Sequence, residues 1–327
     1  KPEDKYEFRA SRLVISGGDP FQPRIRDSFL YLVEKMKPVL SNFWVVSLNP
    51  HHEDEAVDFA IQNRIPTVTA VNMDTRVDRM IEISSKLMKE GLLANCNLCL
   101  VDGKNNERLL EVTEKYLLAE LPIHVYVDYD PRRIIVDKDQ ILNSIDLTGF
   151  FDLLEKYDYK HTNVLWGSYQ PWRPKKKGGV CGFCESNFQV GPSGELYNCY
   201  ALQLSERDDP VSEPCGNIWD DVDPIELVRK HGEKFGRTDD TEFAEECTSC
   251  EYFEYCRGGC AANKYHKNRT YGGKTPYCEL NKYAIKRLKQ LYEKLDFTKA
   301  VDAGWAVSQA KQGTIPIELP IHFKTVE

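Results

Sequence analysis

Along the first 128 residues the hydrophobic pattern switches repeatedly between two periods. Short runs rich in β-branched and aromatic residues predict strands at Leu13–Ser16, Phe43–Ser47, Thr67–Val71, Leu93–Val101 and Ile123–Val127. Between them apolar residues recur at helical spacing: Phe29, Leu32, Val33 and Met36; Ala56, Phe59 and Ala60; Val77, Met80, Ile81, Ile83, Leu87 and Met88; then Leu109, Leu110, Val112, Tyr116 and Leu117. Strand-then-helix repeats of this length predict right-handed parallel βαβ units, and so an α/β fold. A further helical run surrounds Phe150, Phe151, Leu153 and Leu154, and a short apolar stretch follows at Asn163–Trp166.

Beyond Ser168 the character changes. Residues 169–180, dense in Pro, Lys and Gly, form a predicted linker that divides a first domain, 1–168, from a second, 181–295. Within the second, Phe188–Cys199 predicts a β-hairpin turning at Pro192-Ser193-Gly194. Leu280, Tyr283, Ala284, Ile285, Leu288, Leu291 and Tyr292 predict a helix, and 296–327 an extended C-terminal arm.

In βαβ units functional groups gather at the C-terminal ends of the strands. Those ends are small and polar here: Ser16-Gly17-Gly18-Asp19-Pro20, Ser47-Leu48-Asn49-Pro50, Asn72-Met73-Asp74, Asp102 to Asn105 and Asp128 to Pro131. Two glycines after a strand expose bare backbone, whose N–H and C=O groups can bind the charged ends of an amino acid; a tight turn is the bland alternative.

Composition narrows the classes. A chain of 327 residues with 41% hydrophobic content can bury a sizeable core, and a formal charge of -8 argues against a nucleic-acid surface despite the basic run Arg173 to Lys177. No apolar run reaches the roughly 18 residues needed to span a bilayer, so no membrane partner is expected. Eleven cysteines in a chain this long fit a reducing cytosol better than a secreted disulfide scaffold.

Nine of those cysteines lie between Cys181 and Cys278: Cys181-x2-Cys184, Cys199, Cys215, Cys247-x2-Cys250-x5-Cys256-x3-Cys260 and Cys278. Thiolates at such spacings can converge on a metal, zinc or iron–sulfur. Cys96 and Cys99, three apart on a strand, point to opposite faces and read as small buried hydrophobes.

Gly17-Gly18-Asp19-Pro20 resembles the Gly-Gly-Glu-Pro-like motif with which radical S-adenosylmethionine (SAM) enzymes contact the SAM amino group. The pattern Cys184-x9-Gly194-x4-Cys199, Cys247 to Cys260, Cys278 resembles the SPASM domain appended to many of them, over about Cys181 to Leu291. The first resemblance implies a partial parallel (β/α)6-type barrel binding SAM through Gly17, Gly18, Asp19, Ser47, Asn49, Asn72 and Asp74. The second implies two auxiliary 4Fe–4S clusters, one on Cys184, Cys199, Cys260 and Cys181, the other on Cys247, Cys250, Cys256 and Cys278. Full cysteine ligation points to electron transfer rather than substrate binding at either. The family's Cys-x3-Cys-x2-Cys loop is absent from these residues. The expectation is that this loop, a third cluster and the first barrel strand precede Lys1; the alternative is a degenerate member that has lost the cluster.

The resemblance thus implies an oxidoreductase that modifies a peptide or protein by 5′-deoxyadenosyl-radical hydrogen abstraction, served by a one-electron donor such as flavodoxin or ferredoxin. A non-catalytic cluster-bearing electron-transfer or binding partner and a zinc-stapled binding module are the alternatives. Tyr200 stands where sulfatase-maturing members have a proton-accepting Asp; a phenol of unperturbed pKa about 10 is a poor base near neutrality, and packing is its bland role. Cys215 lies outside the ligand pattern, either a buried thiol or a hydrogen-atom donor.

Overall fold

The structure, a computed structural model, describes residues 12–15, 20–36, 42–48, 54–72, 76–100, 106–127, 147–157, 165–166, 188–199, 209–234, 243–270 and 272–294. Six strands, β1 (Arg12–Ile15), β2 (Asn42–Leu48), β3 (Thr67–Asn72), β4 (Leu93–Leu100), β5 (Ile123–Val127) and β6 (Leu165–Trp166), form one sheet in sequential order. Every neighbouring pair is parallel. The C-terminal ends of all six strands therefore lie along one edge. The helices α1 (Arg26–Met36), α2 (Asp54–Gln62), α3 (Val77–Lys89) and α4 (Asn106–Leu118) fill the first four crossovers, and α5 (Thr148–Lys156) precedes β6. This is the α/β fold that the alternation predicts, in the partial parallel barrel form that the resemblance implies.

The helices follow from their apolar stripes. On α3, Val77, Met80, Ile83 and Leu87 are buried while Asp78, Arg79 and Glu82 face outward. The helices α2, α3 and α4 then end alike, each with one left-handed residue: Arg64 (φ 53°), Gly91 (φ 69°) and Glu120 (φ 53°). The next amide reaches back five residues, as in Leu92 N to Leu87 O at 2.8 Å, Ile65 N to Ala60 O at 2.9 Å and Leu121 N to Tyr116 O at 3.1 Å. Such Schellman ends satisfy the last carbonyls and turn the chain into the following strand.

Both faces of β3 are buried. Thr67 and Thr69 are enclosed, as is Val71, and Val68 is nearly so; parallel strands covered on both sides take this form. The Thr69 and Ser84 hydroxyls share a hydrogen bond at 2.8 Å. Beside them Cys96 is fully buried, its thiol pushed by burial up to about 11. The buried-hydrophobe reading holds for Cys96, while the side chain of Cys99 lies outside the described residues.

The last helix, α10 (Cys278–Lys294), joins the barrel rather than standing apart. Ala284, Ile285, Leu288 and Leu291 belong to the same buried cluster as Phe150, Phe151 and Leu154 of α5. Phe151 and Tyr283 meet edge to face with ring centroids 6.0 Å apart, and Arg287 reaches Asp152 at 3.0 Å and Glu155 at 3.3 Å. Burial of apolar area, at about 25 cal/mol per Å2, is the larger contribution, since exposed ion pairs are worth roughly 0–1 kcal/mol. The cysteine-rich region is thus seated on the barrel through the helix that Cys278 begins. No helix among the described residues is long and apolar enough to cross a membrane.

Candidate functional site

The predicted hairpin forms. Strands β7 (Gln189–Val190) and β8 (Glu195–Tyr197) pair antiparallel, and β9 (Gly216–Asn217), which the pattern does not predict, adds a third strand beside β8. Gly194 closes the turn at φ 92°, where a Cβ would stand 2.7 Å from the Trp219 indole nitrogen. Cys199 follows β8 directly, after buried Asn198, whose amide nitrogen lies 3.0 Å from Nδ1 of His231 on α6 (Pro224–Lys234).

Cys199 and Cys260 pack against one small cluster of Val211, Ala262 and Tyr265. A buried carboxylate holds that cluster together. Asp209 accepts from the Val211 amide at 3.2 Å, the Tyr265 hydroxyl at 2.9 Å and Arg269 Nη1 at 2.8 Å. Burial, with Asp209 adding, pushes the Tyr265 phenol up to about 12. The segment after Cys199 is thereby tied to α9 (Ala261–Asn268), whose N-cap is Cys260. Both predicted ligands thus border the same apolar cluster; Cys181 and Cys184 lie outside the described residues.

The second group comes from three helix ends. Cys247 lies in α7 (Glu245–Thr248), Cys256 ends α8 (Phe253–Cys256), and Cys278 begins α10. The Cys250 amide donates to Cys247 O at 3.1 Å. From Cys256 to Cys260 the backbone passes through three left-handed residues, Arg257 (φ 47°), Gly258 (φ 72°) and Gly259 (φ 86°). Burial raises the Cys247 thiol, Glu246 and Cys250 add to this, and Lys264 and Lys274 oppose it. Burial likewise raises Cys278, against Lys274 and Lys282.

Among the described residues no group of three or more Cys, His, Asp or Glu side chains is placed to hold a metal ion. The described thiols Cys247, Cys250, Cys256 and Cys278 lie on turns and helix ends, with Lys264, Lys274 and Lys282 as well as Glu246 and Glu279 among their charged neighbours. Lys264 and the Asp209–Tyr265–Arg269 set carried no signal in the sequence beyond the position of Lys264 one helical turn after Cys260.

Of the predicted SAM residues, Ser47 lies in β2 and Asn72 ends β3, with side chains outside the described residues; Gly17, Gly18, Asp19, Asn49 and Asp74 lie outside them altogether, as does Tyr200. The parallel register places the described C-terminal ends of β1, β2 and β3, from which those segments follow in sequence, at one edge of the sheet. Cys215 is half-buried beside Leu196, and burial pushes its thiol up to about 11.

No model of a protein family matches the chain. Among solved structures it is similar to polyhistidine-tagged anSMEcpe with bound AdoMet, with a TM-score of 0.58 and 15% identity, over 94% of this chain and 86% of that one. A native anSMEcpe structure with bound AdoMet and Kp18Cys peptide gives a TM-score of 0.59 and 16% identity over 87% and 86%. The chain shares the fold of these two structures. In sequence, it is 30% identical over 99 residues to mycofactocin maturase MftC of Mycolicibacterium smegmatis. That match takes in 30% of this chain and 24% of MftC, about a quarter of its length. The structural likeness thus aligns most of the chain, while the sequence likeness is local.

Proposed function

We propose that this chain is a radical SAM oxidoreductase that modifies a peptide or protein substrate. The observation that carries the reading is the six-stranded parallel sheet in sequential order, with the C-terminal ends of its strands at one edge, in a fold shared with structures that hold AdoMet. A substrate of peptide class is supported by the Kp18Cys peptide bound in one of those structures and by the maturase relative. When bound beside a reduced iron–sulfur cluster, AdoMet supplies a 5′-deoxyadenosyl radical that takes a hydrogen atom from substrate.

The residues assigned to AdoMet are Gly17, Gly18, Asp19, Ser47, Asn49, Asn72 and Asp74. Bare backbone at Gly17-Gly18 would let the methionine end approach, and Asp19 would accept from its ammonium. Cys181, Cys184, Cys199 and Cys260 would hold one auxiliary 4Fe–4S cluster, and Cys247, Cys250, Cys256 and Cys278 the other. The placement of Cys199 and Cys260 against one apolar cluster supports the first assignment. Four thiolates on each centre would leave no open iron, so that both would serve electron relay, with a flavodoxin or ferredoxin as the external donor.

The test is anaerobic. The natural protein carrying this chain, reduced in the presence of AdoMet, is expected to release 5′-deoxyadenosine, and Asp19→Ala to weaken AdoMet binding at least tenfold. Absence of AdoMet affinity, with iron and sulfide present, would instead assign the chain as a cluster-bearing electron-transfer partner.

A further inference from the structure

Trp219 is the most exposed of the large hydrophobic side chains among the described residues, at 83%, and Ile218 beside it is 39% exposed. Both stand on a loop fixed by its own hydrogen bonds. Ile218 N donates to Gly194 O at 2.8 Å and Trp219 N to Asn217 Oδ1 at 3.1 Å. Asn217 N donates to Asp220 Oδ2 at 2.7 Å, and Asp220 N returns to Asn217 O at 3.0 Å. Asn217 Nδ2 also donates to Ser193 O at 3.3 Å, which ties the loop to the hairpin turn. The nitrogen edge of the indole lies over Gly194, where a Cβ would stand 2.7 Å from it. A ring seated in this way, with most of its surface in water, has little freedom left to lose on binding.

The charge around the ring has one sign. From Pro210 to Val228 the chain carries Glu213, Asp220, Asp221, Asp223 and Glu226, and no lysine, arginine or histidine. Asp220, Asp221 and Asp223 are exposed and follow Trp219 before α6 begins. Asp220 and Asp223 accept from the Asn217 and Ile225 amides at 2.7 and 2.9 Å, so the main chain holds these carboxylates in place without a cation. The first cations after the loop, Arg229 and Lys230, pair with Glu233 and Glu226 on their own helix. An indole face attracts a cation through its quadrupole, and carboxylates beside it add to the attraction. The same field repels nucleic acid, anionic lipid and acidic proteins. A ring this exposed encloses no pocket for a small molecule; it is the form of a contact with a macromolecular segment.

We propose that Trp219 and Ile218, flanked by Asp220, Asp221 and Asp223, form a docking surface for a lysine- or arginine-bearing segment of a peptide or protein partner. A guanidinium or ammonium of that segment stacks on the exposed indole face within reach of the carboxylates, and an apolar neighbour lies on Ile218. Docking removes from water the aromatic surface that folding leaves exposed, which supplies the affinity. The carboxylates at the rim select a cationic partner and speed the encounter. Every residue used here lies in the loop from β9 to α6, so the inference does not depend on AdoMet or on metal at the cysteines.

The experiment follows the fluorescence anisotropy of two dye-labelled peptides of about twelve residues on titration with the full chain, one repeating arginine-leucine-glycine and the other glutamate-leucine-glycine. The arginine peptide is expected to bind, and the glutamate peptide about tenfold more weakly or not at all. Trp219→Ala is expected to weaken the arginine peptide about tenfold, and Trp219→Phe, which keeps a ring, by less. Asp220→Asn combined with Asp221→Asn is expected to weaken it about threefold or more, and Asp27→Asn combined with Glu34→Gln, two exposed carboxylates on α1, to leave it unchanged. Urea midpoints of all variants are expected to match that of the unaltered chain, since the altered side chains are exposed. If Trp219→Ala does not fold, the two carboxylate pairs decide. No binding of the arginine peptide, equal binding of both peptides, binding unmoved by Trp219→Ala, or equal loss from the two carboxylate pairs overturns the proposal. Self-association of the unaltered chain in sedimentation that Trp219→Ala abolishes makes the occupant a second copy, and overturns it as well.

Discussion

Gly259→Ala, compared with Gly258→Ala, separates backbone strain from steric conflict in the loop that links the two cysteine groups. Both glycines are left-handed, at φ 86° and 72°, and an alanine at either costs about 1–2 kcal/mol for that conformation alone. Their surroundings differ. A Cβ on Gly259 would stand 2.6 Å from Thr275 Cγ2 and 2.7 Å from Thr275 Cβ, closer than carbon atoms approach. Thr275 is itself buried and has no room to retreat. On Gly258 the nearest atoms are at 3.2–3.4 Å and include the end of a lysine chain, which can give. Overpacking adds about 1–3 kcal/mol at Gly259, for a total of roughly 2–5 kcal/mol against about 1–2 kcal/mol at Gly258. Anaerobic urea unfolding of the three chains, followed by tryptophan fluorescence, measures the difference through the midpoint at constant slope. Combining Gly259→Ala with Thr275→Gly should recover the steric part, as a favourable coupling of about 1–3 kcal/mol in a double-mutant cycle. Equal destabilisation by the two alanines, or no coupling to Thr275, would refute the reasoning.

Glu120 occupies the same left-handed helix-end position that Gly91 fills one unit earlier, so Glu120→Gly should stabilise the chain by about 1 kcal/mol in the same urea assay. His231 is held below its ordinary value of 6.5, first by burial and then by Lys234. The unfolded chain therefore takes up this proton first, so the stabilising contribution is present above about pH 6.5 and is lost as pH falls toward the folded value. Unfolding midpoints across that window should drop more steeply for the unaltered chain than for His231→Gln, and parallel pH profiles would count against it.

The barrel half of the fold was legible because each unit repeats the same physical pattern. A β-branched run such as Thr67-Val68-Thr69-Ala70-Val71 is flanked by a helix with buried residues at Val77, Met80, Ile83 and Leu87, and the strand limits fall within a residue or so of the pattern. The helices around the cysteines were not legible. At four residues, Glu245–Thr248 and Phe253–Cys256 are too short to show a period. Likewise β9 is two residues long and is defined by its pairing to Leu196 and Glu195, not by its own sequence. Cysteine spacing pointed to the ligands, because thiols on turns have few other reasons to recur at such intervals. It could not show that α10 would join the barrel core through Ala284, Ile285 and Leu288, since a helical stripe does not name the surface it covers. Lys264 was invisible for a related reason. Its burial is supplied by Phe243 and by the left-handed turn at Gly258, both apart from it in the chain.

The most direct test of the account is the metal and sulfide content of the full chain after anaerobic reconstitution. Eight ligand cysteines in two four-thiolate sets predict about eight iron atoms and about eight acid-labile sulfides per chain, with a broad visible absorbance bleached by dithionite. Cys250→Ser and Cys199→Ser should each remove about half of the iron. Stoichiometric zinc without sulfide, or iron that survives both substitutions, would contradict it.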